Sequence, residues 1–148
     1  MKTYITLILL SYVVAGCTGT DDFSRKLSEE VGRGPGTIIR FAELTKFSWD
    51  KVHVYGPYHP LDEINAKHHI SLKGEYGFNH VPEGDCLYVF VLEDKTVESI
   101  FCPRSKGSCH EILKPGVFTP ESAEFEVKVK TSGPHPYLIK IDYKPPLS

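Results

Sequence analysis

The chain is 148 residues long, with 17 Lys and Arg against 19 Asp and Glu and a formal charge of −2. No basic stripe appears along the chain, which argues against nucleic acid or a polybasic membrane patch as a partner. Eleven Pro and twelve Gly are scattered as punctuation and not gathered into a linker or repeat, so one domain with one core is expected.

At the start, Lys2 supplies a positive charge and Tyr4 to Ala15 is apolar except for Thr6 and Ser11. That run is about 12 residues, whereas a membrane-spanning helix needs about 20. It has the length of a signal-peptide core. Val14-Ala15-Gly16-Cys17 closes it and resembles the lipobox of bacterial lipoproteins at all four positions. The resemblance implies a diacylglyceryl group on the Cys17 sulfur, cleavage just before Cys17 and acylation of the freed amine. At about 0.8 kcal/mol per buried methylene, two or three chains anchor firmly where one would be marginal. The bland alternative is an ordinary secretory signal with Cys17 merely nearby.

On the lipoprotein reading, residues 1–16 are a cleaved signal peptide, residues 17–36 a lipidated Cys with a flexible tether, and residues 37–148 a single globular domain. Thr18 stands where lipoproteins retained in the inner membrane of enteric-type bacteria often carry Asp. The resemblance therefore favours the periplasmic face of the outer membrane, or the outer face of the cytoplasmic membrane in a single-membraned cell.

Residues 18–36 are polar, with three glycines near the end, and fit a flexible tether with room for one helical turn around Ser24 to Val31. Thr37 to Leu44 is short and β-branched at its start, which tips it toward strand. Phe47 to Tyr55 alternates, and Gly56-Pro57 stops it. Leu61 to His68 follows Pro60 and puts Leu61, Ile64 and His68 on one helical face. Ser71 to Asp85 reads as loop.

Cys86 to Leu92 and Thr96 to Cys102 form a hairpin around Glu93-Asp94-Lys95, its first strand apolar enough to be covered on both faces. Ala123 to Lys130 and Tyr137 to Tyr143 form a second hairpin. Phe125, Val127 and Val129 face one way, and Glu124, Glu126, Lys128 and Lys130 the other. The expected class is α+β, mostly β: an antiparallel sheet of about six strands with one or two short helices.

With Cys17 committed to lipid, Cys86, Cys102 and Cys109 form an odd set in an oxidising compartment. Cys102 and Cys109 bracket a turn-rich hexapeptide and are the first disulfide candidates; Cys86 with either is the alternative. Three thiolates at these spacings match no zinc pattern.

Phe47-Ser-Trp-Asp-Lys-Val-His-Val-Tyr-Gly-Pro-Tyr58 resembles a segment, F-x-W-D-x-x-x-V-(F/Y)-x-P-Y, of small bacterial envelope lipoproteins without assigned function. The likeness runs on through the Leu61 helix and the Val89 to Phe101 hairpin, about half the chain. It implies a shape and no activity. Physically, Trp49 offers an apolar anchor and Asp50 can cap backbone N–H groups. The functional reading makes Trp49, Tyr55, Tyr58 and His59 a recognition surface.

Seven histidines invite a metal, yet no His-x-x-x-His or His-Glu-x-x-His spacing occurs, and no metal or cofactor is expected. No Gly-x-Ser-x-Gly elbow or phosphate-cradling glycine loop occurs either. An enzyme would need Asp50, His53 or His80 to converge in an open pocket. The expectation is a non-catalytic, lipid-anchored envelope lipoprotein that acts by contact with another envelope component, in an accessory, exclusion or immunity, or structural role. The alternative is a periplasmic small-ligand or metal-binding lipoprotein using the Trp49/Tyr58/His59 region.

Overall fold

A computed structural model describes residues 19–74, 77–102, 116–129 and 139–143. The lipobox, Cys17 and Cys109 lie outside the described residues. In chain order the elements are α1 (Gly19–Gly32), β1 (Ile38–Arg40), α2 (Phe41–Leu44), β2 (Lys51–Tyr55), α3 (Leu61–His68), β3 (Cys86–Leu92), β4 (Lys95–Cys102), β5 (Gly116–Phe118), β6 (Glu124–Val129) and β7 (Ile139–Tyr143). The fold is α+β and mostly β, with every strand pair antiparallel.

Among the described residues there are seven strands in two sheets where a single sheet of six was expected: a three-stranded sheet in the order β1-β6-β7 and a four-stranded one in the order β4-β3-β2-β5. The expected Thr37 to Leu44 strand accounts for the division. Only its first part pairs, with Ile39 opposite Phe125. Phe41 then turns into α2 and buries its ring, and the chain leaves the small sheet before β2 begins. β5 is three residues long, too short to show an alternation.

The largest difference lies in residues 19–32. Expected as tether, they form a helix of 14 residues that belongs to the core. Phe23, Leu27 and Val31 recur every fourth residue, so they share one face. All three are buried, Phe23 to 1 % exposure, and Ser24 beside them is buried too. The outer face is held by ion pairs at helical spacing: Arg25 reaches Asp22 and Glu29, each at 2.6 Å. Three apolar residues in a polar segment give a weak periodic signal. The burial comes from tertiary packing, since the Phe23 ring meets Phe41, Tyr88 and Phe90 edge-on at 5.2 to 5.4 Å.

The four-stranded sheet is covered on both sides, as the continuous apolar run of β3 requires. Cys86, Tyr88 and Phe90 point toward α1 and the small sheet, where Val52, Ile100, Phe125 and Val127 complete the larger core. Leu87, Val89 and Val91 point the other way, against Leu61 and Ile64 of α3 and against Val81. α3 carries Asp62 and Glu63 in its first turn and Lys67 and His68 in its last, each suited to the helix dipole. His69 ends it in the left-handed conformation, φ 53°, donating its N–H to the Asn65 carbonyl. The Asn65 side chain then holds the following loop through both its amide groups, donating to the Leu72 carbonyl at 3.0 Å and accepting from the Leu72 N–H at 2.8 Å.

The F-x-W-D string is a latch on the β3–β4 hairpin. The rings of Phe47 and Trp49 pack edge-on against Phe90 at 5.1 and 5.2 Å, and the Trp49 indole N–H donates to Thr45 Oγ1. Asp50 Oδ2 accepts from the backbone N–H of Glu93 at 2.9 Å, at the hairpin tip. The tip itself is two residues, Glu93 and Asp94, both with positive φ, which matches the strand twist of a type I′ turn.

Candidate functional site

Alternation along β2 sorts its side chains. Val52 and Val54 enter the larger core, which leaves Lys51, His53 and Tyr55 on the face that α3 partly covers. His53 lies in register between Val89 of β3 and Val117 of the edge strand β5. α3 covers the apolar part of this face and ends with His68 against His53. The two imidazoles meet edge-on with centroids 4.5 Å apart. His68 Nε2 is 2.6 Å from the Tyr55 hydroxyl, and the Thr96 hydroxyl donates to the His68 carbonyl at 3.2 Å. The His59 ring lies 4.9 Å from that of Tyr55. Lys67 Nζ stands 5.9 Å from the Tyr55 ring centroid.

Burial sets the charge state of this cluster. Desolvation pushes the His53 imidazole down to about 4, helped by the nearby positive charge of His68, Lys67 and Lys51. Desolvation lowers His68 as well, with Lys67 and His69 adding to it, and raises the Tyr55 phenol. At neutral pH the cluster is therefore two neutral imidazoles and a neutral phenol. The Tyr55–His68 bond follows the tautomer: Tyr55 donates when Nε2 is bare and accepts when Nε2 carries the proton. His53 Nδ1 is buried with no hydrogen-bond partner among the described residues.

A second aromatic group lies where residues 58–61 run antiparallel to residues 79–81. Tyr58 N–H donates to the Val81 carbonyl, Val81 N–H to the His59 carbonyl, and Leu61 N–H to the Asn79 carbonyl. This pairing lines up the rings of Tyr58, His80 and Phe78, with centroids 5.9 and 5.3 Å apart along the row. Tyr58 is 61 % exposed and Phe78 52 %, so these rings present apolar area to solvent. Away from both groups, α1, β1 and α2 border a groove of about 330 Å³ lined by charged side chains. Its charges have partners: Arg40 with Glu43 and Glu124, Arg33 with Glu30, and Lys26 with the Leu44 carbonyl.

The expected recognition residues do not form one surface. Trp49 is buried in the larger core, on the other side of the four-stranded sheet, because its ring fills the space beside Phe90. Tyr55 and His59 do come together, with Tyr55 itself buried in the smaller core. Tyr58 takes φ 64° and its ring lies tilted beside that of His80 instead. Asp50, His53 and His80 have separate engagements, at the hairpin tip, against His68 and beside Phe78. His68 was legible only as the third residue of the α3 face, and its partner Tyr55 is set by the tertiary crossing. Among the described residues, no group of three or more His, Cys, Asp or Glu is placed to hold a metal ion.

The disulfide candidates divide in the same way. Cys109 is outside the described residues. Cys86 and Cys102 are opposite one another across β3 and β4, on the core face.

Comparison with protein-family models, with curated proteins and with solved structures finds no match.

Proposed function

We propose that the chain is a lipid-anchored envelope lipoprotein that acts without catalysis, by contact with another envelope component in an accessory, exclusion or immunity, or structural role. The observation that carries this reading is the Val14-Ala15-Gly16-Cys17 string at the end of an apolar stretch too short to span a bilayer. Thr18 after Cys17 favours the periplasmic face of the outer membrane. No helix among the described residues is long and apolar enough to cross a membrane. The contact surface assigned on this reading is the row of Tyr58, His80 and Phe78, in which the two outer rings are exposed and the half-buried His80 lies between them.

Radioactive palmitate labelling of the wild type and of Cys17→Ala, followed by membrane fractionation, tests the anchor. Label in the wild-type membrane fraction and none in the variant is the expected result. A mature chain whose intact mass lacks acyl groups sinks the reading. Cross-linking before detergent extraction tests the contact: a Tyr58→Ala/Phe78→Ala double variant should lose the partner that the wild type recovers.

One observation favours a second reading, a small-ligand-binding lipoprotein. The unpartnered Nδ1 of His53 offers a polar handle in a half-covered cluster with Tyr55, His59 and His68. A thermal-shift screen of polar metabolites and divalent cations separates the two readings, since a contact protein shows no shift with any of them.

A further inference from the structure

We propose that Cys86 and Cys102 are a redox pair that closes into a cross-strand disulfide between β3 and β4. The register places them directly opposite, as the first residue of β3 and the last of β4. Opposed residues of an antiparallel pair project to the same face, and both side chains enter the larger core, at 0 % and 1 % exposure. The Cα separation of such a pair, about 4.5 to 5.5 Å, lies inside the range that a disulfide spans. Cys86 is reduced in this structure. The sulfurs are not at bonding distance in this structure, so closure requires the two side chains to turn toward one another.

Cys102 points inward beside Ile100 and Tyr88 on the core face, and Cys86 is on that same face. The competing bridge, Cys102 to Cys109, involves a residue outside the described ones.

The oxidant is a disulfide of the thiol–disulfide exchange class, such as oxidised glutathione or a disulfide oxidoreductase. The Cys86 thiolate attacks one donor sulfur and releases the other as a thiol. The Cys102 thiolate then attacks Cys86 Sγ in the mixed disulfide and releases the second donor thiol. Two cysteine protons end on the donor's two thiols, and the donor is reduced by two electrons. Because both sulfurs are sealed in the folded chain, exchange belongs to folding, before α1 closes the core. An oxidising compartment, as the envelope reading supplies, is where the chain would meet such a donor.

Trypsin separates the relevant cysteines, Cys86 on residues 74–95, Cys102 on residues 96–104 and Cys109 on residues 107–128. The full chain is refolded in a glutathione redox buffer, alkylated without reduction and digested. The expected product is residues 74–95 joined to residues 96–104, in at least tenfold excess over any other link, with Cys109 alkylated. Cys109→Ser should leave that link unchanged, and reduction should lower the Tm by about 10 °C, as the opening of a loop of this length predicts. A link between residues 96–104 and 107–128, or alkylation of both Cys86 and Cys102, overturns the proposal. Cys17 lies on another peptide, so a chain without lipid would still report on the bridge, and a chain without the bridge would still report on the anchor.

Discussion

The Tyr55 hydroxyl, on a strand, and His68 Nε2, on the last turn of a helix, are 2.6 Å apart and join β2 to α3. Apolar packing of Leu61 and Ile64 brings the helix to the sheet, and this bond fixes where its end comes to rest. Tyr55→Phe keeps the ring and deletes the bond. It should cost about 1 kcal/mol, seen as a lower urea midpoint with an unchanged slope. A midpoint equal to that of the wild type would show that water replaces the phenol without loss.

Acid should weaken the fold in two separate windows. His53 is lowered from its ordinary 6.5 to about 4 in the folded chain. Between those values the unfolded chain binds a proton that the folded chain refuses, so the stability gained by keeping His53 neutral is complete above 6.5 and is lost as the pH falls toward 4. Asp22 is lowered from 3.8 to about 2, chiefly by its bonds to Lys46 and Arg25. Its contribution is present above 3.8 and disappears as the pH falls toward 2. Urea midpoints from pH 8 to pH 2 should fall in both windows, and His53→Gln should shrink the first to the part that the lowered His68 contributes while leaving the second unchanged. An NMR titration of His53 with an ordinary midpoint would contradict the first window.

Removing the Phe23 ring should be severe. The ring meets three core aromatics, and truncation of such a side chain costs about 3 to 5 kcal/mol, a large part of the stability of an ordinary domain. Phe23→Ala is therefore expected to unfold at a much lower denaturant concentration. Deletion of residues 19–32 should leave a chain that binds a hydrophobic dye and lacks a cooperative transition. A deletion variant with a normal transition would restore the tether reading.

Asp50 makes a smaller and more local contribution. Asp50→Ala leaves the Glu93 N–H without its 2.9 Å acceptor and should cost about 1 kcal/mol. Hydrogen exchange at the Glu93 amide should speed up, while exchange within β6 stays as it was. Asp50→Asn keeps an acceptor oxygen and should lose less.

What could be read from residue order was the local part. The β3–β4 and β6–β7 hairpins, the α3 limits and the inward face of Phe125 and Val127 follow from periods of two and of 3.6 residues acting on one element at a time. The α1 helix escaped because three apolar residues in fourteen are a faint stripe until Phe41, Tyr88 and Phe90 arrive from distant positions to cover it. The division into two sheets escaped for a similar reason, since β1 chooses β6 as its partner across more than eighty residues. Within the site, Tyr55 and His59 are near in sequence and were legible together. Trp49 was grouped with them for its chemistry, but it precedes β2, which begins at Lys51, so the alternation that sends His53 and Tyr55 to the α3 face does not govern it and its ring enters the larger core.

Phe23, on α1, is already in the core and stands six positions after Cys17 in the sequence. Six residues extend by at most about 22 Å. If Cys17 carries the proposed lipid, the body has a short leash and stays close to the bilayer surface. Its binding partner would then have to come to it, as a neighbour in the same leaflet or a molecule brought down to the surface.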